Sequence, residues 1–279
     1  GEEKLMRIAV LYNKKASGAV QAFSQVCRIL HDNGTELLLP PDPANFLDSA
    51  DDVIQDADAV VAVGGDGTII HVAKYAARFG KPILGINGGR MGFVAGMEAN
   101  ELDDLALLAA GNYRCEHRMM LSVRKNDSDK VYTALNEAVL SRASLSRLID
   151  LSLSCDGKTV ADYQADGMIV ATPTGSTAYS LSAGGPIVTP ALDCLLMTPV
   201  CPHSLFARSY IFEKNAELCV TVRLPHETAA FLTVDGEEGL RLYDGDRVHI
   251  SRAPLTADWI VLRDRSFYDQ LNRKMMGRK

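Results

Sequence analysis

The run Ala59-Val60-Val61-Ala62-Val63-Gly64-Gly65-Asp66-Gly67-Thr68-Ile69-Ile70 decides how this chain is read. Its first five residues, small or β-branched and apolar, predict a buried parallel strand, and residues 64–68 predict a tight turn into a helix. Without Cβ atoms, Gly64, Gly65 and Gly67 can take positive φ and let a ligand lie against the main chain. Free N–H groups at the start of the next helix would face that ligand and favour an anion such as a phosphate. Asp66 stands in the middle of this turn. A carboxylate beside a phosphate is unfavourable unless it meets a metal or takes up a proton, which suggests chemistry. The same residues also read as an ordinary glycine-rich connection in which Asp66 merely caps the helix. The rest of the chain has to separate the two.

On the N-terminal side, residues 7–12 predict a first buried strand. Val20, Phe23, Val26, Cys27 and Leu30 recur at helical spacing, with Gly34 as a stop. Residues 35–39 predict a second strand, ended by Pro40, Pro41 and Pro43. Beyond the glycine turn, a helix is expected over 69–79 and closed by Gly80. A strand follows over 82–86, and a second glycine-rich turn runs from Asn87 to Phe93. An amphipathic helix over 101–110 stops at Gly111. Strands alternating with helices mean a doubly wound parallel sheet, which binds ligands beyond the carboxyl ends of its strands. Both glycine turns fall at that edge.

Near Tyr113 the pattern changes to short alternating segments over 120–125, 131–140, 148–155, 168–171, 217–224, 230–234 and 247–251. Turn signals at Asn126-Asp127, Asp156-Gly157, Asp235-Gly236 and Asp244-Gly245 separate many of them. The expected organisation is an α/β domain over 1–112, a mostly antiparallel β domain over 113–255, and a tail over 256–279. The tail is read as a helix returning to the first domain, with Phe267, Leu271 and Met275 as its apolar positions.

Composition narrows the function. The 279 residues are 47% hydrophobic and 23% charged, ordinary for globular domains with real cores. A net charge of −6 argues against broad binding to nucleic acid or anionic membrane. No apolar run approaches the ~20 residues that span a bilayer, and Lys4 and Arg7 bracket too little apolar sequence for a signal peptide. The six cysteines include no Cys-x-x-Cys pair, which fits a reducing cytoplasm better than a zinc site or a disulfide framework.

A second signal lies at 166–186, where Asp166-Gly167 opens a strand that runs into Thr172-Pro173-Thr174-Gly175-Ser176-Thr177-Ala178-Tyr179-Ser180. So many hydroxyls and glycines suit a segment that lines a ligand, although a plain hydroxyl-rich loop would look similar. Asn136-Glu137, inside an upstream strand pattern, could grip a base or ribose edge, or be an exposed pair.

Taken together and in this order, Gly64-Gly65-Asp66-Gly67-Thr68, Asn136-Glu137, Asp166-Gly167 and the segment 172–180 resemble the NAD kinase family, specifically its bacterial members. Pro202-His203-Ser204-Leu205 and Val234-Asp235-Gly236-Glu237 extend the likeness over nearly the whole chain, while Arg208-Ser209 departs from the family's usual Arg-Pro. The glycine motif alone is shared with diacylglycerol, sphingosine and 6-phosphofructokinase enzymes. The 172–180 segment is far more specific. The resemblance implies phosphoryl transfer from ATP, or inorganic polyphosphate, to the 2′-hydroxyl of the adenosine ribose of NAD, giving NADP. It makes Asp66 the general base and implies Mg²⁺ carried on the donor phosphates, with no direct protein ligands.

By the same resemblance Gly65, Gly67, Thr68 and His71 meet phosphate or nucleotide, and Asn136, Glu137 and Asp166 contact NAD. Thr174, Thr177, Ala178, Tyr179, Ser180, Leu181 and Ser182 form the nucleotide wall, with Arg147 and Gln164 matching more loosely. NAD is expected between the two domains, and the protein is expected to be a cytoplasmic homodimer or homotetramer. Two other classes compete: a lipid kinase sharing the glycine motif, and a non-catalytic nucleotide-binding regulator. The net charge and the β-domain motifs speak against the first, and Asp66 against the second.

Overall fold

In the computed structural model, which describes residues 5–14, 18–41, 50–88, 92–143, 147–204, 206–224, 229–237, 239–264 and 266–276, the run at 59–64 is a strand buried along its whole length. The chain divides into two compact units, residues 1–118 with 255–279, and residues 119–254.

In the first unit, β1 (Arg7–Tyr12), α1 (Ala19–Asp32), β2 (Glu36–Leu38), α2 (Ala50–Asp56), β3 (Ala59–Gly64), α3 (Asp66–Arg78), β4 (Ile83–Asn87), β5 (Met97–Glu98) and α4 (Leu105–Ala109) follow in order. The strands pair in parallel in the order β2-β1-β3-β4-β5. This is the doubly wound sheet expected from the alternation. Register places Gly64 beside Asn87, and Asn87 beside Glu98, so all three lie in a row at the carboxyl edge. Leu30 of α1 and Leu105 and Leu108 of α4 complete a core with Ile8, Val61 and Ile86. Gly34, Gly80 and Gly111 all take positive φ, as their role as helix stops requires.

Two helix boundaries differ from expectation. The helix expected over 69–79 starts three residues earlier, at Asp66, with Gly65 as its N-cap. The helix expected over 101–110 is split into a 3₁₀ turn, Leu102–Asp104, and the short α4. Buried Leu102, Leu105 and Leu108 are spaced by three, a period that a 3₁₀ turn satisfies as well as an α-helix does.

The second unit holds β6 (Arg114–Lys125), β7 (Val131–Ala134), β8 (Glu137–Arg142), β9 (Ile149–Cys155), β10 (Lys158–Ala165), β11 (Gly167–Ala171), α5 (Tyr179–Ser182), β12 (Cys194–Val200), β13 (Tyr210–Glu213), β14 (Leu218–Arg223), β15 (Ala230–Val234), β16 (Leu240–Leu242) and β17 (Arg247–Val261). β6 begins in the first unit and β17 ends there, where Trp259 pairs in parallel with Ile83 of β4. The last helix, α6 (Phe267–Met276), belongs to the first unit. One antiparallel sheet runs β13-β12-β11-β8-β15-β16. Antiparallel β10-β9-β14-β17 lies across a core shared by Leu140, Met168, Val170 and Met197 of the first sheet and Leu151, Leu153, Val220 and Val222 of the second group.

β10, β12, β13 and β16 carry no clear strand signal in the sequence. β12 is almost wholly buried and contains Pro199, so it lacks both alternation and the usual composition. β10 buries only Tyr163 and Ala165. The single strand expected over 131–140 is broken at Leu135-Asn136, for a reason that belongs to the site described below.

The contact that seats α3 on the sheet is a missing side chain. A Cβ at Gly85 would lie 2.7 Å from Cγ2 of Ile69. Gly85→Ala should therefore cost about 1–3 kcal/mol of stability in urea unfolding. The double variant Gly85→Ala/Ile69→Ala should lose clearly less than the sum of the two single losses. Strict additivity would show that α3 does not press on this strand.

Candidate active site

At the carboxyl end of β3 the chain turns directly into α3. Gly64 is a requirement of packing, since a Cβ there would lie 2.8 Å from Cβ of Thr68. The Gly88 N–H donates to the Gly64 carbonyl at 3.1 Å, and Asn13 Nδ2 donates to Thr68 Oγ1 at 3.3 Å, which fixes the turn from both sides. None of Gly64, Gly65 and Gly67 takes positive φ, contrary to the freedom the sequence suggested. Gly65 is extended at φ −84° and ψ 174°. What Gly65 and Gly67 provide is space, because a Cβ on either would meet no heavy atom within 4 Å. No side chain caps α3, so its first N–H groups are left to a ligand or solvent.

Asp66 is the first residue of α3 and does not cap it. Its carboxylate turns to the second glycine turn, where Oδ2 accepts from the Phe93 N–H at 2.8 Å and Oδ1 from the Val94 N–H at 3.1 Å. Gly92 packs flat against it, since a Cβ there would fall 2.0 Å from Oδ1. Residues 89–91 of that turn lie outside the described residues. His71, one turn further along α3, is half-buried with its ring 5.1 Å from that of Tyr75.

Sequence reasoning missed a neighbour of this carboxylate. On α6 the structure buries Leu271 and half-buries Phe267 as expected, but in the last turn it buries Lys274 and leaves Met275 48% exposed. Leu271 and Lys274 are three apart and share a face, and the long lysine stem is apolar enough to sit inward. Lys274 Nζ lies 5.9 Å from the ring centroid of Phe93, the residue whose N–H holds Asp66. Burial lowers the pKa of this ammonium, while Glu98 and Asp66 favour its charged form.

In the second unit a different carboxylate does the holding. Asp235 accepts from three successive N–H groups: Leu135 at 2.7 Å, Asn136 at 2.8 Å and Glu137 at 3.0 Å. Those bonds divert the backbone from the ladder and explain the break between β7 and β8. Segment 172–175 packs on the same corner. The Thr172 N–H donates to the Asn136 carbonyl at 2.8 Å, and a Cβ on Gly175 would stand 2.2 Å from that oxygen. Glu137 is 8% exposed and accepts from the Tyr179 N–H. Glu137 Oε2 and Asn136 Oδ1 are buried without a hydrogen-bond partner among the described residues. Desolvation, with the Asp235 charge beside it, pushes the Glu137 carboxyl up to about 8.

The remaining candidates are dispersed. Thr174 and Ser180 are buried, and the Ser180 hydroxyl is bonded to that of Thr198 at 2.9 Å. Thr172 and Ser176 also spend their hydroxyls inside, on the carbonyls of Leu135 and Val188. Much of this hydroxyl-rich stretch therefore builds the interior. Thr177, Ala178 and Leu181 are half-buried, Ser182 is exposed, and the Tyr179 ring is 45% exposed. Asp166 is engaged by Arg142 Nε at 2.6 Å. Gln164 is exposed and donates to Asp150 at 3.2 Å, and Arg147 is exposed.

Comparison with known proteins brings these features under one family. Residues 41–111 match the ATP-NAD kinase N-terminal domain, and residues 135–262 match the ATP-NAD kinase C-terminal domain. The chain belongs to the NAD kinase family. It is 40% identical to the NAD kinase of Symbiobacterium thermophilum, over 97% of this chain and 99% of that one. The NAD kinase of Ruminiclostridium cellulolyticum is 34% identical over 99% of each. Among solved structures, yeast NADH kinase complexed with NADH superposes with a TM-score of 0.86 at 25% identity, covering 100% of this chain and 89% of that one. An NAD kinase from Archaeoglobus fulgidus in complex with ATP gives 0.77 at 28% identity, covering 98% and 100%.

As in any member of the NAD kinase family, the chemistry asked of this chain is that of a kinase. No helix among the described residues is long and apolar enough to cross a membrane.

The state of Glu137 can be read from stability. Native Glu137 keeps its proton up to about pH 8, whereas the unfolded chain releases it near 4.5. Between those values the native state binds more protons, so stability falls as pH rises. Thermal unfolding of Glu137→Gln, which cannot ionise, should show a weaker fall in Tm between pH 5 and pH 8 than wild type. Each kcal/mol is worth about 2–4 °C at this chain length. Parallel Tm curves would mean that Glu137 is ionised in the native protein.

Proposed function

We propose that this protein transfers the terminal phosphoryl group of ATP to the 2′-hydroxyl of the adenosine ribose of NAD, with Asp66 as general base, giving NADP. The observation that carries this reading is the placement of Asp66. Two backbone N–H groups hold its carboxylate at the open, uncapped start of α3, on a turn whose glycines leave room for a ligand.

A ribose hydroxyl is a poor nucleophile at neutral pH, and a positioned base contributes about 10²–10⁴-fold. Asp66 takes the hydroxyl proton. The N–H groups of the first turn of α3 hold the phosphoryl oxygens in line, the task backbone donors perform at phosphate-binding turns. Among the described residues no three His, Cys, Asp or Glu side chains gather to hold a metal. A divalent ion such as Mg²⁺ would come with the donor phosphates and offset their charge. Polyphosphate would present the same phosphoryl chemistry to this turn as ATP does.

Asn136 and Glu137 hold the NAD. A neutral Glu137 offers an O–H donor and Asn136 Oδ1 an acceptor, so the two unpartnered atoms suit opposite sides of a base or ribose edge. The half-exposed Tyr179 ring beside them supplies a stacking surface. The likeness to proteins solved with NADH and with ATP supports both halves of this assignment. Self-association belongs to the same reading. β13 is a sheet edge, and Ile211 on it is 58% exposed, as is Phe206, five residues earlier in the chain, at 88%, apolar surface that a second copy would cover.

Asp66→Asn should lower kcat for NADP formation by about 10²–10⁴-fold, with the NAD dissociation constant changed only a few-fold. Turnover near the wild-type rate would falsify the general-base role. Tyr179→Ala should raise KM for NAD and leave kcat largely intact, and the reverse pattern would remove Tyr179 from the nucleotide wall. Sedimentation velocity of Ile211→Lys should show a smaller species than wild type, and unchanged assembly would place the contact elsewhere.

A further inference from the structure

Among the described residues, Lys274 on α6 is a buried lysine whose ammonium has no hydrogen-bond acceptor. Arg273, beside it on α6, reaches Glu101 Oε1 at 4.0 Å. Arg118 lies with its guanidinium 4.4 Å above the Trp259 ring. Lys274 is only 5% exposed, and its Nζ has no hydrogen-bond partner among the described residues. A buried ammonium without an acceptor is a costly arrangement.

Its location is fixed by register. Gly64, Asn87 and Glu98 stand side by side at the carboxyl edge of the parallel sheet, and Asn87 Nδ2 donates to Glu98 Oε2 at 2.9 Å. Glu98 and Asp66 attract the ammonium, Arg273 and Arg118 oppose it, and the Phe93 ring lies beneath it. The unpartnered cation thus faces the edge where α3 begins and where Gly65 and Gly67 leave space. The chain has no Gly-x-x-x-x-Gly-Lys loop to bring a lysine to a phosphate in the usual way.

We propose that Lys274 of the C-terminal helix supplies the protein's cation for the phosphate chain of the donor nucleotide, binding its oxygens at the start of α3. This inference rests on the phosphoryl-transfer reading above and adds a residue from the far end of the sequence to it. The ammonium supplies the charge-assisted donor that a glycine turn lacks, and the phosphate supplies the acceptor that the ammonium lacks.

The test uses MgATP and tripolyphosphate as probes on the full chain. Lys274→Met keeps the length of the side chain and removes the charge. It should weaken binding of both probes by about tenfold to a hundredfold, the worth of a hydrogen bond to a charged group. NAD affinity should stay within about threefold, and Lys274→Arg should recover part of the loss. Affinities for both probes within about threefold of wild type in Lys274→Met would overturn the proposal. Wild-type protein that binds MgATP yet forms no NADP would remove the acceptor assigned above and leave this comparison intact. Should Lys274→Met not fold, ¹⁵N-detected lysine ammonium signals of the wild type decide the matter. The Lys274 signal, identified by its loss in Lys274→Arg, should move on adding tripolyphosphate, and a signal that stays in place would overturn the proposal.

Discussion

Two hydrogen bonds, from the N–H groups of Phe93 and Val94 to the Asp66 carboxylate, are what the glycine turn depends on. They tie the end of β3 to the segment after β4, two neighbouring strands of a parallel sheet whose ends have no hairpin to hold them together. With the carboxylate fixed from outside its own helix, the start of α3 stays uncapped and available. Gly92 is part of the same constraint, because its missing side chain is the space that Asp66 occupies. The chemistry of the turn and its packing are therefore one requirement.

The two units treat buried carboxyls in opposite ways. Asp235 receives three backbone N–H groups and can keep its charge out of water, as oxyanions do in a nest of amides. Glu137, alongside, receives one N–H and has a second oxygen with none, so the proton is its means of staying inside. The Asp235 charge beside a carboxyl pushed up to about 8 gives the corner an O–H donor at neutral pH.

The sequence was most legible where packing leaves a simple pattern. The parallel strands at 7–12 and 59–64 are continuous apolar runs because both faces are covered, and their glycine-stopped helices follow the same logic. Asp66 stood out as a carboxylate inside a glycine turn, while Asn136 and Glu137, which alone also read as an exposed pair, gained their weight from the resemblance. Their holders did not stand out. Phe93 and Val94 act through backbone N–H groups, which every residue but proline possesses, so no residue type marks the job. Lys274 was hidden by Met275, whose composition outbid its neighbour for the inner face even though the helix turns the lysine inward. In the hydroxyl-rich segment, Thr172 and Ser176 spend their hydroxyls on the carbonyls of Leu135 and Val188, and Ser180 bonds the Thr198 hydroxyl, interior uses that composition does not announce. β12 and β10 were invisible because one strand is buried on both faces and the other is mostly exposed.

The grip of Asp235 has a consequence for how the protein comes into being. The residues it joins lie 98 to 100 positions apart in the chain. Closing so large a loop is an entropic debt that local structure cannot settle, and it is met only when β15 pairs with β8 across the same interval. The corner that carries Asn136 and Glu137 therefore exists only where that long-range pairing is made. The glycine turn, whose carboxylate is held across 27 and 28 positions, closes far shorter loops. The glycine turn and the Asn136-Glu137 corner thus depend on chain contacts of very different reach.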